Sequence, residues 1–137
     1  MIKKILTNTT KERKIKVGAG QTTSFLWEGE NVFSTPSMIS EMEETCRLLL
    51  KEEFLQDKDW DSVGTLVNIQ HLKATPVGAE VKLKATVVEV KDRRITFEVD
   101  AFDKIEKIGE GLHERAVINV PEFRERFIRK LKKLETS

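Results

Sequence analysis

Two histidines, one cysteine and one oddly placed carboxylate are the residues of this chain whose chemistry stands out. His71, in NIQHLKAT, carries an imidazole that titrates near neutrality and can take a proton from water or a hydroxyl. Glu43 lies in VFSTPSMISEMEETCRLLLKEEF, and at 100° per residue it falls beside Ile39 and Leu50, on the border of an apolar stripe. A carboxylate there either reaches out to water or is placed to act. Ser40 and Glu43 are also spaced as a capping box, which would apply if the helix began at Ser40. Thr35 followed by Pro36 offers an earlier start, since a threonine oxygen can cap a helix and proline suits the first helical position. Cys46 sits within the stripe and reads as a small core residue; His113 reads as structural. No metal site is expected, because two histidines and a single cysteine show no ligand spacing.

The elements that must hold these residues follow from periodicity. Met38, Met42, Thr45 and Leu49 recur at helical spacing, and Ile39, Cys46 and Leu50 widen the stripe, so one amphipathic helix spans Val32 to Phe54. Ahead of it, Lys11 to Val17 alternates as a short edge strand, and a brief extended piece is expected around Phe25 to Trp27. From Ser62 four strand-like runs follow: SVGTLVNIQHLKAT, VKLKATVVEV, RRITFEVDAF and KIGEGLHERAVINV. Pro76-Val77-Gly78, Lys91-Asp92-Arg93 and Asp103 to Lys107 mark the turns between them. Val81, Leu83, Ala85 and Val87, like Ile95, Phe97, Val99 and Ala101, alternate with polar residues, which gives each strand one wet face. Pro121 opens a short C-terminal helix with Phe123, Phe127 and Leu131 on one side. A long helix before a meander of four long strands is an α+β arrangement in which an antiparallel sheet wraps one central helix, the hotdog architecture. A single such sheet leaves an open edge and a half-covered helix, so pairing into a homodimer is the expected remedy.

Composition sets the bounds. The 137 residues fit one domain, 1–137, large enough for a core without disulfide or metal staples. With 39% hydrophobic and 34% charged residues, no bilayer-spanning run, and an opening MIKKILTNTTKERK unlike a signal peptide, a cytoplasmic protein is expected, with no membrane partner. The net charge of +1 offers no field for nucleic acid. Lysines and arginines crowd both ends of the chain, either as a solvated face or as an attraction for a phosphorylated ligand.

Three segments, VFSTPSMISEMEETC, VGTLVNIQHLKATPVG and GLHERAVI, resemble the signature segments of the fluoroacetyl-CoA thioesterase group of hotdog proteins. The resemblance runs from about Val32 to the C-terminus. It implies a homodimeric enzyme hydrolysing acyl-CoA thioesters, with coenzyme A as part of the substrate and no separate cofactor. Carried onto this sequence, it implies Thr35, Glu43 and His71 as catalytic residues at the subunit interface, Gly64 beside the thioester carbonyl and Arg115 in contact with substrate. The phenylalanine gate of the fluoroacetyl-specific members falls at Gly29, and Trp27 is the aromatic residue nearest to it in sequence.

Thioester hydrolysis needs a nucleophile or activated water, a base, and donors for the oxyanion. His71 can serve as base toward water or the Thr35 hydroxyl. Glu43 can orient His71, accept a proton or attack the carbonyl. Arg115 could instead pair with a carboxylate of a second protomer. Two other functions fit the same fold: a non-catalytic acyl-CoA-binding module, and a hydratase or dehydratase. The filled threonine, glutamate and histidine positions favour hydrolysis.

Overall fold

The computed structural model describes residues 3–137; Met1 and Ile2 of the opening stretch lie outside the described residues. Its elements are β1 (Thr10–Lys16), β2 (Thr22–Thr23), β3 (Val32–Phe33), α1 (Thr35–Glu53), β4 (Trp60–His71), β5 (Glu80–Lys91), β6 (Arg94–Phe102), β7 (Lys107–Asn119) and α2 (Val120–Thr136). Among the described residues no helix is long and apolar enough to cross a membrane.

The stripe of α1 buries Met38, Met42, Thr45, Cys46, Leu49 and Leu50 against the sheet. Facing them are Val81, Leu83, Ala85 and Val87 of β5 and Ile95, Phe97, Val99 and Ala101 of β6, each fully shielded from water. All five long strands touch the helix, so the sheet wraps it as the hotdog architecture requires. The approach is close at Gly109 of β7, where an added methyl would lie 2.6 Å from Met38 Sδ. Glycine there is a steric requirement of helix against strand.

The sheet order is β1-β5-β6-β7-β4, all antiparallel, and it corrects the expected four-strand meander. Only β5, β6 and β7 follow one another. β4 lies beyond β7, and the link through Pro76 to Gly78 crosses from the β4 edge to β5, which lies next to the opposite edge strand β1. That link is stitched on the way: Phe33 N–H donates to Thr75 O, Val32 bridges Pro76, and Gly78 N–H donates to Val17 O. Its strand-end residues were visible in the sequence, but their destination is set by long-range pairing that no local pattern carries.

Two further expectations change. The short strands flanking the 24–31 segment are Thr22–Thr23 and Val32–Phe33, which pair with each other, and Phe25 to Trp27 is not extended sheet. Helix α1 begins at Thr35, capped by Ser34, whose Oγ accepts from Ser37 N–H at 3.2 Å. Ser34 has extended backbone angles and Thr35 helical ones, so the serine is in the capping position and the threonine hydroxyl is released for other use. The capping box at Ser40 does not form, because the helix is already two turns old at Glu43.

The two candidate caps separate in denaturation. Ser34→Ala is expected to cost about 0.5–2 kcal/mol in urea unfolding, the usual range for a lost cap. Thr35→Val should cost less; the reverse order would return the cap to Thr35.

Candidate active site

The structure sorts the sequence-predicted residues into two groups. In the first, the Thr35 hydroxyl and His71 Nδ1 lie 2.8 Å apart, joining the first turn of α1 to the last residue of β4. His71 Nε2 is buried with no partner among the described residues. Burial holds the imidazole below its ordinary pKa, with the Lys73 backbone pulling weakly the other way. With Nδ1 accepting from the Thr35 hydroxyl, the neutral ring carries its proton on Nε2, and burial disfavours the second, charge-bearing proton, so the neutral ring is the resting form. A neutral imidazole against a hydroxyl is a base set to take that hydroxyl's proton.

This pair opens into a cavity of about 270 Å³ walled by Phe25, Val32, Phe33 and Leu72. Phe25 therefore takes the aromatic place beside the site, and Trp27, 82% exposed, stands away from it. Sequence spacing could not find Phe25, because the irregular 24–31 segment has no period to place it. A larger depression, about 660 Å³, lies by Lys14, Lys16 and Ile105 and contains none of the predicted residues.

The second group surrounds Gly64. A methyl on Gly64 would lie 3.7 Å from Glu43 Oε2, 3.7 Å from Arg115 Nη1 and 3.2 Å from His113 Cε1. Glu43 and Ile39 are half-buried on the flank of α1 that β4 leaves open. Arg115 is buried: Nε donates to Ser62 Oγ at 2.7 Å, Nη2 to Ser62 O at 2.8 Å, and Nη1 to His113 Nε2 at 3.1 Å. Its charge thus reaches the site as a field behind Gly64, more than as a surface contact. Cys46 lies in this field too, yet burial pushes its thiol up to about 12, so it stays a neutral core residue.

The two groups do not meet within one protomer. Thr35 and Glu43 are eight residues apart on one helix, about 12 Å along its axis. They do, however, share a face of the sheet, and that is not what plain alternation gives. Gly64 and His71 have opposite parity along β4, and a regular strand would point them to opposite faces. The register shifts between Gly64 and Leu66, where Gly64 pairs with Arg115 and Leu66 with Glu114, leaving Thr65 as an extra residue. This β-bulge turns Val67, Ile69 and His71 toward α1 alongside Gly64.

β4 is also the bare edge of the sheet. Residues 64–68 are all exposed, Leu66 at 48% and Val67 at 43%. From Ser62 to Gln70 the strand carries no charge, whereas the opposite edge, β1, reads TKERKIK. Charged edges resist strand addition and uncharged apolar ones invite it.

Residues 17–121 match the fluoroacetyl-CoA-specific thioesterase family. The chain belongs to that family. It is 36% identical over 96 residues to the fluoroacetyl-CoA thioesterase of Streptantibioticus cattleyicolor, covering 70% of this chain and 68% of the relative. A mutant fluoroacetyl-CoA-specific thioesterase solved with fluoroacetate and CoA superposes with a TM-score of 0.78 at 29% identity, over 87% of this chain and 99% of that one. A thioesterase-superfamily member from Thermus thermophilus shares the fold at a TM-score of 0.86 and 20% identity, over 98% of each chain.

The resting state of the dyad is testable by titration. Burial lowers the pKa of both histidines, so the folded chain takes up these protons at lower pH than the unfolded chain does. Stability is therefore expected to be full above the ordinary histidine value and to fall as pH drops below about 6.5 toward the folded pKa values. In an NMR titration the His71 ring should have its midpoint below that value. A midpoint at or above it would mean that the ring is solvated and the dyad is not held neutral.

Proposed function

We propose that this protein hydrolyses a short acyl-CoA thioester at a site shared by two protomers. The observation that carries the proposal is the 2.8 Å contact between the Thr35 hydroxyl and the neutral His71 imidazole, at the mouth of a small cavity. Family membership supplies the substrate class; the uncharged β4 edge supplies the assembly.

A two-fold pairing of β4 with β4 of a second copy runs the strands antiparallel. It carries the Gly64 end of one strand toward the His71 end of the other, so the Glu43–Gly64 group of one protomer comes to the Thr35–His71 pair of its neighbour. The thioester lies between these walls, with its acyl group in the cavity beside Phe25. His71 takes the proton of Thr35 as Oγ attacks the carbonyl carbon; the C–S bond breaks and the CoA thiolate leaves with that proton. Water, deprotonated by the same imidazole, then attacks the acyl ester; the C–Oγ bond breaks, the acid is freed, and Thr35 Oγ takes the proton back from His71. The N-terminus of α1 and the Gly64 backbone stabilise the oxyanion in both steps. Glu43 and the buried charge of Arg115 form the facing wall, where Glu43 orients the attacking water.

Three measurements test this reading. His71→Ala is expected to lower thiol release from short acyl-CoA esters by about 100-fold or more, as loss of a general base does. Rapid-quench mass spectrometry of the wild type should find the acyl group on the Thr35 peptide; label on the Glu43 peptide would move the nucleophile to the carboxylate. For the shared site, His71→Ala and Glu43→Gln proteins, each inactive alone, are mixed after denaturation and refolding. Half of the dimers are then mixed and each has one intact site, so about a quarter of wild-type activity is expected to return. No recovery would place the whole site within one protomer.

A further inference from the structure

His113 was expected to be structural, yet its surroundings tie it to the one irregularity that the site depends on. The side chain is 1% exposed and points from β7 toward α1. Both ring nitrogens are engaged. Nδ1 donates to the carbonyl of Leu66 at 2.8 Å, and Nε2 accepts from Arg115 Nη1 at 3.1 Å, which fixes a neutral ring protonated on Nδ1. The ring stacks on Phe97 with centroids 6.4 Å apart. Burial holds it below its ordinary pKa, the Leu66 carbonyl opposes this, and the Arg115 charge adds to it.

Leu66 is the residue at which β4 resumes pairing after the bulge. A bulge breaks the ladder and leaves a backbone group without its regular partner, which is costly when no water reaches it. Here the His113 ring holds the Leu66 carbonyl, while the extra residue is tied to β7 by Thr65 Oγ1, which donates to Glu114 O at 3.1 Å. The alternative is a slip in which Thr65 rejoins the ladder and every later residue changes face. Asn68 and Gln70 would then look toward α1, and His71 would look away from Thr35.

We propose that His113 is a positioning residue that pins the β4 bulge, and through it holds Gly64 and His71 on the same face of the sheet. The second nitrogen adds to this function, because Arg115 links the ring to Ser62 on the other side of Gly64. One imidazole thus brackets the glycine from both sides of the bulge. Its contribution to turnover rests on the reading of His71 as the base.

The test compares His113→Asn and His113→Leu in the full chain. The asparagine amide places an N–H where Nδ1–H stood; leucine has similar bulk and no donor. Three readouts are followed: kcat and KM for a short acyl-CoA ester, amide hydrogen exchange, and the ring nitrogen signals of His71. The leucine protein is expected to lose at least about tenfold in kcat with little change in KM, the pattern of misplaced chemistry. Exchange should speed up over residues 64–71 while α1, β5 and β6 stay protected, and the His71 signals should move to those of a solvated ring. The asparagine protein should recover most of each. Equal losses in both proteins, or a leucine protein with unchanged exchange and His71 signals, would overturn the clamp. If His113→Leu fails to fold, His113→Gln replaces it, since its amide reaches the Nε2 position and satisfies Arg115 alone; wild-type behaviour there would also overturn the proposal. Exchange and ring signals are independent of turnover, so they decide the clamp even if no acyl-CoA ester is hydrolysed.

Discussion

The parity of an extended strand is the constraint on which this site depends. Residues an odd number apart along β4 cannot face the same way, and Gly64 and His71 are seven apart. One extra residue, Thr65, resolves the conflict by shifting the register, and the helix then meets functional groups at both ends of the strand from one side. The sheet absorbs the irregularity because β4 is an edge strand. Only β7 pairs with it, so only one ladder is broken. Other register shifts lie between Val87 and Glu89 of β5 and between Ala101 and Phe102 of β6, toward the ends of those strands.

Much of the fold was legible because burial imposes periods. The α1 stripe and the alternation in β5 and β6 are direct records of which atoms avoid water, and the structure places those residues in the core. Strand order was not legible, since a strand's own pattern does not say which neighbour it pairs with. The helix start was ambiguous for a local reason. Ser34 and Thr35 carry the same hydroxyl, and only backbone angles decide which one caps. Within the site, the resemblance pointed to Thr35 and His71, whose side chains lie 2.8 Å apart, whereas the split between their pair and the Glu43–Gly64 group required the helix geometry. Arg115 was identifiable by type, and two-residue spacing puts His113 on its strand face, but nothing local indicated that Ser62 would hold it. His113 itself was hidden, because an inward strand histidine looks alike whether it fills space or holds a backbone carbonyl.

The burial of Arg115 and the exposure of β4 belong to one design. A guanidinium taken from water keeps its charge only where hydrogen bonds replace hydration, and here Ser62 and His113 provide them at fixed distances. The resulting positive field is rigid and directed at Gly64, where the Glu43 carboxylate also lies. A substrate oxyanion arriving at the open edge would meet that field already organised, which is how fixed dipoles and charges do most for a reaction. The open edge is therefore where the fold is least complete and the electrostatics most prepared. Closing it with another strand of this chain would bury Leu66 and Val67 but seal the approach to both groups. Closing it with a second copy, as proposed, would bury the same residues and would set each prepared half against the proposed base of the other. On this account the bare edge and the divided site are one structural choice.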